Sequence, residues 1–283
     1  MHLLRPGGWA GAGEGPAVTS PRTALVTGAS SGIGAAVANA LVAKGYRVLG
    51  TSRRPESIAA PIARVEYLAL DLGDDASVTA CAAAAGAVDV LVNNAGESQS
   101  GPFEELPADA IERLFRVNVF GAVRLSQLLL PGMRERGYGR VVMVGSMLAS
   151  FPLAYRGSYV ASKAAIKGFA SSLRREVSRY GIGVCTVEPG SISTGIGERR
   201  THYLRDGSPY ASEYRTMIEH LDANERAGVS AARVARTVLA AIEADRPRPL
   251  YAVGSNAPLV FALRRLLPRR TVETMVARRH GLR

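Results

Sequence analysis

Short apolar runs alternate with longer stretches of helical periodicity along most of this chain. Thr23-Ala-Leu-Val-Thr27, Arg47-Val-Leu-Gly-Thr51, Val65 to Leu70, Val88 to Val92, Arg140-Val-Val-Met-Val144, Gly183-Val-Cys-Thr-Val187 and Leu250-Tyr-Ala-Val253 are short, rich in Val and Leu, and predict strands. Between them, Gly34 to Lys44, Asp74 or Asp75 to Ala85, 107–135, 157–180 and 231–244 predict helices. Gly45 stops the first helix as a residue past its cap, and Asp74 or Asp75 can cap the second. Strands alternating with helices predict βαβ units and hence an α/β fold: a doubly wound parallel sheet with helices on both faces. No linker or composition shift divides residues 22–256, which are expected to form one domain. Within it, 195–228 loses clear periodicity, is polar and rich in Arg and Tyr, and is expected to be a lid. Residues 257–283 form a basic extension, predicted as two short helices split by Pro268. Residues 1–21, rich in Gly and Pro, are expected to be a disordered leader.

Composition narrows the class. Of 283 residues, 47% are hydrophobic, enough to bury a substantial core, and few are aromatic, so that core is aliphatic. The net charge of +11 invites a nucleic-acid reading, but the basic residues are scattered arginines without zinc-finger spacing or an aromatic-interleaved stripe. The excess of arginine at the C-terminus is expected to be a solvated tail, and no nucleic-acid partner is expected. Two cysteines, Cys81 and Cys185, make no disulfide framework and look like small buried hydrophobes, in keeping with a reducing cytoplasm. No run approaches the ~18 apolar residues of a membrane span, so a soluble, cytoplasmic protein is expected. No metal site is expected.

The candidate chemistry lies in Gly157-Ser-Tyr-Val-Ala-Ser-Lys163, with Ser146 thirteen residues before Tyr159. On a helix, Tyr159 and Lys163 at i and i+4 share a face, so an ammonium stands beside a phenol. A nearby cation favours the phenolate, which makes the pair a proton donor and acceptor. A glycine-rich turn, Gly28-Ala-Ser30-Ser31-Gly32-Ile33-Gly34, follows the first strand and opens a helix. Glycines let the backbone approach a ligand, and a helix N-terminus offers unpaired N–H groups to a pyrophosphate.

Thr27-Gly28, Gly32-Ile33-Gly34, Asn93-Asn94-Ala95-Gly96, Asn118, Ser146, Tyr159, Lys163 and Pro189-Gly190 stand in the order and spacing of the short-chain dehydrogenase/reductase family. The chain resembles its compact single-domain, Rossmann-like subtype from about residue 22 to 253. The resemblance implies hydride transfer with a nicotinamide cofactor. Tyr159 is then the general acid/base, Ser146 the hydrogen-bond donor to the carbonyl oxygen, and Lys163 the partner of Tyr159 and of the nicotinamide ribose. Asn118 is the residue whose backbone kinks a helix and holds a relay water. It further implies that Gly28, Ser30, Ser31, Gly32, Ile33 and Gly34 hold the pyrophosphate, that Asp71 hydrogen-bonds the adenine amino group and that Leu72 belongs to the same cofactor site. Asn94, Ala95 and Gly96 pack on the adenosine ribose, and Pro189, Gly190, Ile192 and Thr194 hold the nicotinamide. At the end of the second strand, Ser52 and Arg53 stand where a carboxylate would bind the ribose of NAD. Nothing there repels a 2′-phosphate, and Arg53 can clamp one, so NADP(H) is the expected cofactor.

The pocket is read as apolar, lined by Met147, Leu148, Phe151, Leu153 and Tyr155, then Tyr203, Tyr210, Tyr214 and Met217. With Ser146 and Tyr159, Leu148 and Tyr155 are the expected substrate contacts. A lipophilic ketone or secondary alcohol of steroid, retinoid or polyketide type is expected. Two alternatives stand beside it. One is a 3-oxoacyl thioester reductase docking an acidic acyl carrier protein on Arg199, Arg200 and Arg205; the other is a non-catalytic NADP-binding sensor. The apolar run Pro258 to Leu263 among arginines permits a peripheral membrane contact, with packing on the domain favoured over it. By resemblance, helices 107–135 and 157–180 are expected to pair with those of a partner in a homodimer or homotetramer.

Overall fold

The computed structural model describes residues 21–195 and 197–282. The expected leader thus lies outside the described residues, Pro21 excepted. The elements run β1 (Thr23–Val26), α1 (Gly32–Ala43), β2 (Arg47–Ser52), β3 (Val65–Ala69), α2 (Asp75–Ala85), β4 (Val90–Asn93) and β5 (Gln99–Ser100). Next come α3 (Ala108–Phe115), α4 (Gly121–Glu135), β6 (Gly139–Val144), α5 (Gly157–Val177), β7 (Ile182–Pro189), β8 (Ile192–Ser193) and β9 (Thr201–His202). The last are α6 (Ala211–Arg226), β10 (Val229–Ser230), α7 (Ala231–Glu243), β11 (Leu250–Val253), α8 (Ala257–Leu266) and α9 (Arg269–Arg279).

Seven strands form one sheet in the order β11-β7-β6-β4-β1-β2-β3, every pair parallel. Successive residues of a strand point to opposite faces. Val90 and Val92 therefore join Ala24, Val26, Val142 and Val187 under α1 and α7, whereas Leu91 joins Leu25, Leu49, Val141 and Val184 under α2, α4 and α5. Both faces are covered, which is why these strands read as continuous apolar runs. Asp74 caps α2, its carboxylate accepting from the Ala76 N–H at 3.0 Å. Gly45 follows α1 at φ +83°, as expected of the residue beyond a helix cap.

The predicted helix 107–135 is divided. α3 passes through one π-turn, Arg116–Phe120, closed by the Gly121 N–H on the Arg116 carbonyl, before α4 continues. Such turns commonly mark functional sites. The segment 195–228 is more ordered than its pattern suggests, since α6 fills half of it. Its periodicity is masked because Tyr214, Met217 and Leu221 alone form its buried stripe. α8 and α9 meet at Pro268 and pack on the domain through Ala257, Val260, Val272 and Val276. Among the described residues no helix is long and apolar enough to cross a membrane.

Candidate active site

The strand order reverses between β1 and β4, and a cavity of about 490 Å³ opens there, lined by residues that follow β1, β2, β3, β4, β6, β7 and β11. Open α/β sheets bind ligands at this position. The segment after β1 is braced from below. The Thr27 hydroxyl accepts from the N–H groups of Asn94 and Ala95, both at 2.9 Å, and the Asn94 amide donates to the Thr27 carbonyl at 2.9 Å. Gly28 holds φ +68°, a conformation glycine adopts without strain. A Cβ on Gly34 would collide with the Gly28 carbonyl, so only glycine lets the turn close against α1. Ser31, the N-cap of α1, makes no capping bond with its side chain. The first N–H groups of α1 are thus open to an anion, and the turn fits a pyrophosphate.

Of the residues expected to hold the cofactor, Gly34 lies behind the turn and all the others line this cavity, from Ser30 and Ile33 through Ser52, Arg53, Asp71, Leu72 and Gly96 to Thr194. Asp71 has a structural task as well, its carboxylate accepting from the Gly73 N–H at 2.8 Å. Ser52 accepts from the Arg54 N–H at 3.3 Å, and among the described residues Arg53 takes part in no ion pair.

Ser146, Tyr159 and Lys163 line the same cavity from two elements. Tyr159 is only 8% exposed, and its hydroxyl makes no hydrogen bond among the described residues. Lys163 is equally buried. Its ammonium sits 5.9 Å from the centre of the Tyr159 ring and donates to the Val144 carbonyl at 3.1 Å, which fixes it beside the phenol. Ser146 is both a turn residue and a cavity residue. Its oxygen accepts from the Leu148 N–H at 3.2 Å, leaving the hydroxyl proton free to donate. Asn118, in the π-turn, accepts from the Glu97 N–H at 2.7 Å and donates to the Glu97 carbonyl at 3.0 Å and to Ser162 at 3.1 Å. Its side chain thereby clamps the exit of β4 to α5. Below Ser146, the fully buried Glu188 takes a hydrogen bond from Ser150 at 2.9 Å and the ammonium of Lys167 at 2.8 Å. This network anchors the end of β7 to the turn after β6.

The structure corrects the expected substrate wall. Met147, Leu148 and Phe151 line the cavity, but Tyr155 does not. At φ +62° its side chain turns outward, donating to Glu213 at 2.7 Å and packing on Tyr210 and Tyr214. Leu153, Tyr203, Tyr210, Tyr214 and Met217 also stay out of the lining, and Leu153, Tyr214 and Met217 form a small core under α6. The cavity lining instead takes in Arg156, Leu221, Glu225, Val260, Val276, Arg279 and His280. It is less apolar than expected, and the C-terminal helices form part of it. His280 donates from Nδ1 to the Val276 carbonyl at 2.9 Å, and burial pushes its pKa down, so Nε2 of the neutral ring is an acceptor. The arginines expected to dock an acyl carrier protein are mostly engaged. Arg200 is buried against Asp222 (2.7 Å) and Glu225 (2.6 Å), and Arg205 lies against Glu104 and Glu105; of the three, only Arg199 makes no ion pair among the described residues, and it lines the cavity.

Among the described residues no group of three or more His, Cys, Asp or Glu could hold a metal ion. Cys81 and Cys185 are free and buried, and burial raises their thiols to about 11 and about 12, which makes them inert.

Residues 22–204 match the family model for short chain dehydrogenases. The chain is 30% identical to a 3-ketodihydrosphingosine reductase of Bacteroides thetaiotaomicron over 86% of its own length and 91% of that protein. It is 31% identical to an NADPH-dependent 3-dehydrocapnine reductase of Ornithobacterium rhinotracheale, over 89% and 95%. A crystal structure of a short-chain dehydrogenase from Streptomyces avermitilis superposes with a TM-score of 0.78 at 35% identity, over 88% and 94%. The chain belongs to the short-chain dehydrogenase family and is an oxidoreductase with that family's nucleotide-binding fold.

Proposed function

We propose that this protein is an NADP(H)-dependent reductase or dehydrogenase that interconverts a lipophilic ketone and its secondary alcohol. The observation that carries the reading is the convergence of Ser146, Tyr159 and Lys163 on the cavity that the glycine turn also enters. When bound, the dinucleotide supplies or accepts the hydride. Tyr159 donates its proton to the carbonyl oxygen during reduction and recovers it during oxidation. Ser146 donates a hydrogen bond to that oxygen as negative charge develops on it. Lys163, held by the Val144 carbonyl, presents its ammonium beside the phenol.

The preference for NADP(H) rests on β2. It ends at Ser52 and is followed by Arg53 and Arg54, without a carboxylate, and Arg53 borders the cavity with its guanidinium in no ion pair among the described residues. The name of the Ornithobacterium relative, NADPH-dependent, supports the same choice. The substrate class rests on Met147, Leu148, Phe151, Leu221, Val260 and Val276, which give the far wall its apolar surface. Two relatives named as reductases of 3-ketodihydrosphingosine and 3-dehydrocapnine are consistent with it. Exposed Phe120 and Phe169, on the π-turn and on α5, support assembly of two or more copies through these helices.

The test is a screen that follows NADPH absorbance across steroids, quinones, short ketones, long-chain ketones and acyl thioesters, with Tyr159→Phe as control. A ketone turned over by wild type is expected to be reduced ~10²–10⁴-fold more slowly by Tyr159→Phe, which still binds NADPH. Wild-type turnover in that variant removes Tyr159 from the mechanism, and a higher kcat/KM with NADH overturns the Arg53 argument.

A further inference from the structure

Arg156, the residue before α5, is a buried cation that the mechanism above does not use. It is 3% exposed. Its guanidinium lies over the face of the Tyr159 ring, 4.3 Å from the centre. Its hydrogen bonds all go to neutral groups: the Gln99 carbonyl at 2.8 Å, the Ser100 hydroxyl at 2.9 Å and the Ser98 hydroxyl at 3.0 Å. Nε has no partner, and Arg156 forms no ion pair among the described residues. A buried charge is ordinarily matched by an opposite one. Here the expected counter-ion is missing.

The groups that face Arg156 come from three elements. Arg200, just before β9, repels it. Glu225, on α6, attracts it but lies 2.6 Å from Arg200 and is committed there, as is Asp222. His202, on β9, is driven toward its neutral form by burial. Tyr214, on α6, is pushed up to about 12 by burial and stays a neutral phenol. Arg156 itself is pushed down to about 10, mainly by burial, and so remains charged at neutral pH. Among the described residues that face it, the one group left that can become an anion is Tyr159, whose ring centre also lies 5.9 Å from the Lys163 ammonium.

We infer that Arg156 is a second electrostatic partner of Tyr159, a positioning residue whose guanidinium stabilises the phenolate formed when the phenol gives up its proton. A cation over an aromatic face is attracted by the ring even when the phenol is neutral. That attraction grows when the ring system bears a full negative charge, since two unit charges at this separation interact strongly in a water-poor site. The neutral bonds to 98–100 hold the guanidinium over the ring, so the stabilisation is present before the proton moves.

The inference rests on the reading of Tyr159 as general acid/base, and its test does not need the substrate. Wild type, Arg156→Met, Arg156→Gln and Arg156→Lys, labelled with ¹³Cζ-tyrosine, are titrated by NMR; the Tyr159 resonance is assigned by its loss in Tyr159→Phe. In the neutral variants the midpoint of the Tyr159 titration is expected to rise by on the order of one pH unit relative to wild type. Arg156→Lys should recover part of that shift, because it keeps the charge. Arg156→Gln retains a donor toward Ser98 and Gln99, so a folded neutral variant is at hand if Arg156→Met does not fold. A Tyr159 midpoint unchanged in a folded neutral variant, or equally raised in Arg156→Lys, overturns the inference and leaves Arg156 a structural tie. An active Tyr159→Phe enzyme would instead overturn the reading beneath it, whatever the titrations show.

Discussion

The place a side chain on Gly34 would take is filled by the carbonyl oxygen of Gly28. The two glycines are joined by a steric exclusion, since the turn after β1 can fold onto α1 only while residue 34 lacks a Cβ. The Asn94 amide also crowds this spot, 2.6 Å from the absent atom. Gly34→Ala must therefore displace the turn that fits a pyrophosphate. Overpacking of this kind costs about 1–3 kcal/mol. The expected outcome is a lower Tm and at least tenfold weaker NADPH binding, read by calorimetry. Wild-type affinity in Gly34→Ala would show that the turn tolerates the shift.

Glu188 is wholly buried, and Lys167 with Ser150 supplies its charge and hydrogen bond. Lys167→Met strands that carboxylate. Breaking a buried pair on one side typically costs about 3–5 kcal/mol. Urea unfolding should show a loss of this size in Lys167→Met and a smaller one in Lys167→Met/Glu188→Gln. Equal stability of the two variants would mean that the carboxylate is already solvated.

Val276 of α9 faces the cavity beside Arg279 and His280. Val276→Trp should raise KM for bulky ketones several-fold and leave KM for NADPH unchanged, because the glycine turn expected to hold the dinucleotide belongs to β1 and α1 and not to α9. A variant with wild-type KM for every ketone would remove α9 from the substrate site.

Burial lowers the pKa of both His202 and His280. In the unfolded chain each takes up a proton as pH falls through about 6.5, while the folded chain resists. The unfolded state then binds more protons, so their contribution to stability is full above that value and is lost as pH falls below it. Glu225, raised by burial, acts with the opposite sign in a more acidic window. Tm should fall between pH 7.5 and 5.5, and His280→Gln should lessen the drop. An identical slope in that variant would exclude His280 as a source.

Phe169 leaves its ring exposed on α5. If α5 pairs with its copy, Phe169→Glu should lower the mass seen by light scattering and leave the far-ultraviolet circular dichroism unchanged. A monomeric wild type would end that reading.

Much of the cofactor side could be read directly from the chain. Gly28, Ser52, Asp71, Asn94, Ser146 and Pro189 each sit at or just past the carboxyl end of a strand, and a parallel sheet gathers those ends at one edge. Tyr159 and Lys163 were legible for a related reason, since helical spacing alone puts them on one face. The substrate wall was not. Tyr155 looked like a pocket residue by its nearness to Tyr159, but a positive φ sends it to Glu213. Arg156 had a faint signal, a cation three residues before the tyrosine. Glu225, Val260, Val276, Arg279 and His280 had none.

Sequence by itself determined the repeating strand–helix unit, the positions of the strand ends and the spacing of tyrosine and lysine. These follow from local periodicity and from glycine's missing side chain, both properties of neighbouring residues. Only the tertiary structure decided that α9 returns to line the cavity, that Arg200 is buried against two carboxylates, and that Arg156 lies over the ring of Tyr159 with no carboxylate of its own among the described residues. Those outcomes depend on how distant segments share one buried space and its charge, and a residue's neighbours in the chain carry no record of that.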